Sequence, residues 1–267
     1  MAQSKYYHNP KTNPHTAPTP TMPTQPSIEI IIPTAHDSPT LDSVIRTHRR
    51  QTLQVGIHII ETSYETDRAR NIHLRYAGST TIRVTWQPPR PAEHRCAVIT
   101  DALDSAIATS RADWILLTHD DVWLKRQDQI AELLNLAATT RSPLVAYEMS
   151  PRQNCRNEWR GMPSHTLTLI SRHYALENKL RWDITAAIAN TPTDQRTAGW
   201  PDTETNFGRR CKELKTPIHW IASENNEPHF EDAHIVHRRS LTSHLTDKAH
   251  ANIYDTDWIN QQISRFH

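Results

Sequence analysis

Glycine is scarce in this chain: five residues in 267, at positions 56, 78, 161, 199 and 208. No G-x-G-x-x-G, G-x-x-x-x-G-K-[ST] or G-x-S-x-G element can be built from that spacing. This removes the glycine-rich dinucleotide and phosphate loops and the hydrolase nucleophile elbow. H-E-x-x-H is absent too, which removes zinc proteases of that type. The three cysteines, Cys96, Cys155 and Cys211, are odd in number, far apart and without a C-x-x-C pair. Neither a disulfide framework nor a cysteine zinc site follows, and a reducing, cytoplasmic setting is expected. No apolar run approaches the roughly eighteen residues of a membrane span, and the amino terminus lacks a signal-peptide core. A formal charge of +1 excludes a strongly basic nucleic-acid binder on bulk electrostatics, though not a local basic face. Any phosphate that this chain binds is therefore expected to be held through a metal.

What is present is a pattern of alternating strands and helices. Residues 1–27 carry Pro10, Pro14, Pro18, Pro20, Pro23 and Pro26 among Thr, Asn and Gln, and read as a disordered tail. Ile28 to Pro33 is a β-branched run stopped by proline, as a buried first strand would be. Ser38-Pro39 then marks a helix start, with Leu41, Val44, Ile45 and His48 at helical spacing. Val55 to Ile60, ending at Glu61, and Thr81 to Trp86 read as two further strands with nothing helical assigned between them. A helix over about 93–110 leads into the strand Trp114 to Leu117, and another, marked by Ile130, Leu133, Leu134 and Ala137, precedes a strand at Leu144 to Tyr147. Further on come a strand over Leu167 to Ile170, a helix bearing Phe207, Cys211 and Leu214, a strand at Ile218 to Ile221, and the His-rich stretch Pro228 to Arg239. The alternation predicts an α/β fold with a mostly parallel sheet in one domain.

The strand at Trp114 delivers His119-Asp120-Asp121 to its carboxyl end. Ligands of open α/β sheets gather beyond the carboxyl ends of the strands, so paired acids there suit a divalent cation that carries a phosphorylated ligand. The alternative reading is that the two aspartates cap a helix.

Ile28-Glu29-Ile30-Ile31-Ile32-Pro33-Thr34, followed roughly eighty residues on by His119-Asp120-Asp121, resembles a family 2 glycosyltransferase of GT-A fold, over about residues 28–240. The resemblance implies a GT-A-like single domain with a Rossmann-like central sheet. Its nucleotide-sugar-binding half is 28–150, its acceptor and catalytic half 151–245, and a C-terminal helix occupies 246–267. It implies a metal-dependent sugar transfer, inverting in most relatives, from a UDP- or GDP-sugar, with Mn2+ or Mg2+ as cofactor. By the same resemblance Thr34 lies near the nucleotide, Glu61 meets the base or ribose, and Asp104 makes a further donor contact. Asp121, with Asp120, holds the metal, and a late histidine, His237 or His234, completes its shell. An acid at a helix start, Asp202 or Glu204 within Trp200 to Arg210, would take the acceptor's proton; the alternative is that both only favour the helix dipole.

His119 stands where the family has the first acid of D-x-D, and Thr100 to Asp104 replaces a usual feature ahead of the metal strand, so a divergent member is implied. The acceptor is open. Arg152, Arg156, Arg160, Arg209, Arg210, Lys212, Arg238 and Arg239, with Trp159, would make a basic rim for a nucleic-acid acceptor with a modified base. A nucleotidyltransferase is disfavoured by the lack of a glycine-rich loop after the first strand. A non-catalytic GT-A-like binding protein is the rival from another class.

Overall fold

The structure, a computed structural model, describes residues 25–35, 38–63, 66–88, 95–149, 160–192, 203–223, 229–238 and 256–267, without the side chains at 95, 96 and 186. Residues 1–24 of the expected tail, Asp202, and four members of the expected basic rim, Arg152, Arg156, Trp159 and Arg239, lie outside these segments.

The first strands form where β-branched residues run together. β1 (Ile28–Thr34) is almost wholly buried and pairs in parallel with β2 (Gly56–Glu61) on one side and β4 (Trp114–Thr118) on the other. β3 (Ile82–Trp86) extends β2, also in parallel. Beyond β4 lies β7 (Pro163–Ser171), antiparallel to it, then β6 (Leu144–Glu148), antiparallel to β7, and β8 (Ile218–Ser223), parallel to β6. The central sheet thus has seven strands in the order β3-β2-β1-β4-β7-β6-β8 and is mostly parallel, as expected. A second, three-stranded antiparallel sheet joins β5 (Val122–Leu124), β10 (Ile235–Arg238) and β9 (His229–Glu231) in the order β5-β10-β9.

Successive residues of a strand face opposite sides, and β1 divides its isoleucines accordingly. Ile28, Ile30 and Ile32 join a core with Leu41, Val44 and Ile45 of α1 (Leu41–Arg49), Ile72 of α2 (Thr66–Tyr76) and Ile130, Leu133 and Ala137 of α4 (Gln129–Thr140). Ile31 joins the opposite core, with Leu103, Ala106 and Ile107 of α3 (Arg95–Thr109), Ala175 of α5 (Arg172–Glu177), and Phe207 and Cys211 of α7 (Thr205–Glu213). Helices therefore cover both faces, the arrangement that parallel strands buried on both sides require. α8 (Thr256–Arg265) and the residues after it lie on the first core, where Phe266 stacks on Trp123 of β5 at 6.1 Å between centroids.

Several elements differ from the sequence reading. α2 lies between β2 and β3, where no helix was expected: only Ala69 and Ile72 of its eleven residues are buried, so its apolar stripe is too thin to read. α5 and α6 (Thr185–Asn190) are short helices of six residues, below the length at which periodicity is legible. β7 begins at Pro163, four residues before the expected start, and the His-rich stretch holds the paired strands β9 and β10.

Candidate active site at the switch point of the sheet

The chain runs outward from β1 through β2 to β3 and then returns to the other side of β1 as β4. The gap between the carboxyl ends of β1 and β4 is thus the point where strand order reverses, the place where ligands of open α/β sheets bind. Two side chains meet across it. Thr34, the last residue of β1, donates its hydroxyl to Asp120 Oδ2 at 2.5 Å, and Thr40 donates to the Asp120 carbonyl at 2.5 Å. Both threonines and Asp120 are buried. Glu61, Thr34's cross-strand partner at the end of β2, is fully buried and accepts a hydrogen bond from the Ser63 N–H at 2.8 Å.

Asp120 and Asp121 take opposite directions from the same turn. While Asp120 is tied to Thr34, Asp121 faces His119 of the same turn and His237 from a strand more than a hundred residues on. His119 Nδ1 lies 3.7 Å from Asp121 Oδ1, and His237 Nε2 lies 3.5 Å from the same oxygen. Ligand atoms of these three residues all fall within 4.8 Å of one another. Antiparallel pairing of β10 with β5 sets His237 opposite Val122, and the Arg238 N–H donates to the Asp121 carbonyl at 3.1 Å. Backbone hydrogen bonds, not side-chain attraction, thus bring His237 to the aspartate. His237 is only 3% exposed, and neither of its ring nitrogens makes a hydrogen bond with a described residue. Buried polar groups are normally satisfied, and a cation beside Asp121 would satisfy Nε2, the nitrogen of this ring that faces the carboxylate.

A second pair adjoins the first. His165 of β7 lies near the carboxyl end of β4, because β7 runs antiparallel with Leu167 opposite Thr118. Its ring packs on His119, with centroids 3.9 Å apart, and its Nδ1 bonds Glu204 Oε1. Glu204 is the residue just before α7 and is itself buried. Burial pushes its carboxyl up, but the charge of His165 and the hydrogen bond from it outweigh this and hold the group below the usual carboxylate range. Trp182 packs edge-on to His165 at 5.8 Å and stacks on Phe207 of α7 at 4.1 Å, closing this side with aromatic surface.

Each described residue singled out from the sequence can be placed. Thr34, Glu61, Asp120 and Asp121 lie at the carboxyl edge of the sheet, and His237 and Glu204 reach that edge from later elements. Asp104 serves elsewhere. Its carboxylate accepts the Trp182 and Asp183 N–H groups at 2.8 and 3.0 Å, and burial raises its pKa in spite of those bonds. It holds the loop that carries Trp182. His234 sits in the turn ahead of β10, and its N–H donates to Asp232 at 2.7 Å; it is not part of the cluster. Arg238 is only 1% exposed, so it does not belong to a solvent-facing basic rim, and Arg210 pairs with Glu213 at 3.1 Å. His119 and His165 were not singled out as site residues. The signal for the first was its place beside two acids at a strand end; the second lay in front of the expected strand.

No family model matches the chain, and no curated protein matches it. Solved structures do. The structure of S. aureus TarS aligns with a TM-score of 0.52 at 11% identity over 78% of this chain and 36% of that one. TarS 1–349 aligns with a TM-score of 0.51, also at 11% identity, over 78% and 59%. The mannosyltransferase PcManGT from Pyrobaculum calidifontis, solved in complex with GDP-Man and Mn2+, aligns at 0.49 with 14% identity, over 80% and 60%. The chain spans about a third to three-fifths of the length of these proteins. Taken with the sheet order and the helices on both faces, the likeness to TarS gives this chain the GT-A fold.

Proposed function

We propose that the chain is a glycosyltransferase that moves a sugar from a nucleoside diphosphate to an acceptor hydroxyl, with a divalent cation at Asp121. The observation that carries this reading is the group of half-buried His119 with buried Asp121 and His237, built at the switch point of a GT-A sheet. Residues 28–150 form the donor half, with Thr34 and Glu61 beside the nucleotide, and 151–245 the acceptor half. Asp120 fixes the turn through Thr34 and Thr40, so that Asp121 is presented to the diphosphate. A cation held by Asp121 and His237 supplies the positive charge that a departing diphosphate needs.

In the transfer, the acceptor oxygen forms a bond to the anomeric carbon as the bond from that carbon to the diphosphate oxygen breaks. The acceptor's proton passes to a carboxylate at the start of α7, Glu204 working with His165, or Asp202. Attack from the face opposite the leaving group inverts the anomeric centre. UDP and GDP are the donor nucleotides to test first.

The test is calorimetric titration of the full chain with UDP and with GDP, with and without Mn2+, beside Asp121→Ala. The expected result is metal-dependent binding of one nucleotide that the variant loses. Absence of binding to either under all conditions would refute the proposal and favour a non-catalytic protein of the same fold.

A further inference from the structure

The cluster differs from a purely acidic metal site in one respect that has chemical consequences. Of its three donors two are imidazoles and one is a carboxylate. The neighbouring acid does not change this balance, because Asp120 points into the sheet gap and takes the Thr34 hydroxyl. Mg2+ demands oxygen ligands in near-ideal octahedral geometry and gives up water reluctantly. Imidazole instead suits the borderline transition metals. We infer that His119, Asp121 and His237 together form a site for a divalent transition metal, Mn2+, Co2+ or Zn2+, which discriminates against Mg2+, and that His119 is the residue that sets this selectivity. The inference rests on the reading above that Asp121 holds a cation.

The spacing is right for such an ion. Metal-to-donor bonds of about 2.1 Å place neighbouring donors about 3.0–3.5 Å apart. The separations here are 3.5 Å from His237 and 3.7 Å from His119 to the shared Asp121 oxygen, close to that spacing on the two edges that meet at the carboxylate, and all three ligand atoms fall within 4.8 Å of one another. His119 is also held in place. The His165 ring lies against it, and His165 is anchored twice on Glu204 Oε1, through Nδ1 and through its backbone N–H at 3.3 Å. The rings of His119 and His237 stand nearly perpendicular at 5.5 Å and do not stack on one another.

The experiment uses the full chain with metal alone and no nucleotide. Mn2+, Co2+ and Mg2+ are titrated calorimetrically into the wild type, His119→Asp and His119→Ala, with thermal melts to establish that each variant folds. The Co2+ forms are also read by proton NMR for contact-shifted imidazole N–H resonances. The wild type should bind Mn2+ and Co2+ at least about a hundredfold more tightly than Mg2+ and show two shifted imidazoles. His119→Asp should keep one of these and narrow the Mn2+ to Mg2+ preference by about tenfold or more; His119→Ala should weaken Co2+ by about tenfold or more. Equal affinity for Mn2+ and Mg2+ in the wild type, no Co2+ binding without nucleotide, or a Co2+ spectrum unchanged in folded His119 variants would each overturn the inference. The two proposals fail separately. Selective metal binding with no nucleotide binding would leave the metal site standing and the transferase reading refuted. Metal-dependent nucleotide binding with selectivity indifferent to His119 would do the reverse.

Discussion

Gly208→Ala is the substitution that tests most directly how α7 is seated beside the site. A Cβ built at Gly208 lies 2.5 Å from Met162 Cγ and 2.8 Å from Met162 Cβ and Sδ. Carbon atoms in contact prefer about 3.5–4.0 Å, so the helix must retreat by about 1 Å or Met162 must move. Rotation of Met162 relieves two of the three contacts, but its Cβ is fixed by a backbone whose carbonyl accepts the Met149 N–H at 2.9 Å. Overpacking of this kind costs about 1–3 kcal/mol, and the better helix propensity of alanine returns up to about 1 kcal/mol. The expected net loss is about 1 kcal/mol, and for a chain of this size the melting temperature should fall by roughly 2–4 °C. The decisive assay is a double-mutant cycle with Met162→Ala, followed by urea unfolding and tryptophan fluorescence. Met162→Ala alone should cost about 2–5 kcal/mol, since the side chain is buried. With Met162 Cγ and Sδ gone the Gly208→Ala penalty should shrink or change sign, a coupling of about 1–2 kcal/mol. Additivity within about 0.5 kcal/mol would refute the claim that the missing side chain sets the approach of α7 to β7.

Glu204→Gln keeps the shape of the group that holds His165 and removes its charge; turnover of the nucleotide-sugar, once the donor is known, should fall by about a hundredfold or more. Metal affinity measured by calorimetry should change little by comparison, and a variant with full turnover would remove Glu204 from the proton path. His48 of α1 is completely buried, with its Nδ1–H donating to the Val44 carbonyl at 2.8 Å, and burial lowers its pKa to about 4, against that bond. A lowered histidine pKa means that the unfolded chain binds the proton first, so stability is full above the unfolded value near 6.5 and falls as the pH drops from there toward about 4. Between pH 7 and pH 5 this group should remove about 2 kcal/mol. Urea melts of His48→Gln should lose that share of the pH dependence, and an identical pH profile in the variant would refute the assignment.

Much of the fold over residues 28–150 was legible in the sequence because its signals are local. A run such as Ile28 to Pro33 buries on both faces whatever surrounds it, and β1 spans Ile28–Thr34. The strand at Trp114 ends in two acids, which places them at the carboxyl edge once the sheet is parallel. The α/β class followed from this order of strands and helices, and the GT-A fold from the resemblance carried by Ile28 to Thr34 and His119 to Asp121. What failed was also local in cause. α2 has two buried residues and hence no stripe to read, and β5, β9 and β10 have three or four residues each, too short for alternation to register.

The sequence by itself determined the chain's longer strands, the α/β class and the presence of Asp120 and Asp121 at a strand end, since each depends on residues only a few positions apart. Only the tertiary structure decided what those aspartates face. Both follow the same strand, yet Asp120 turns to Thr34 of β1 and Asp121 to His237 of β10. It likewise decided that His165 and Glu204 form a pair, that Asp104 serves the Trp182 loop, and that His237 lies beside His119 and Asp121. These contacts connect residues far apart in the chain, and no local periodicity encodes them. They are set by which strand lies beside β4 and by the backbone hydrogen bonds that draw β10 against β5.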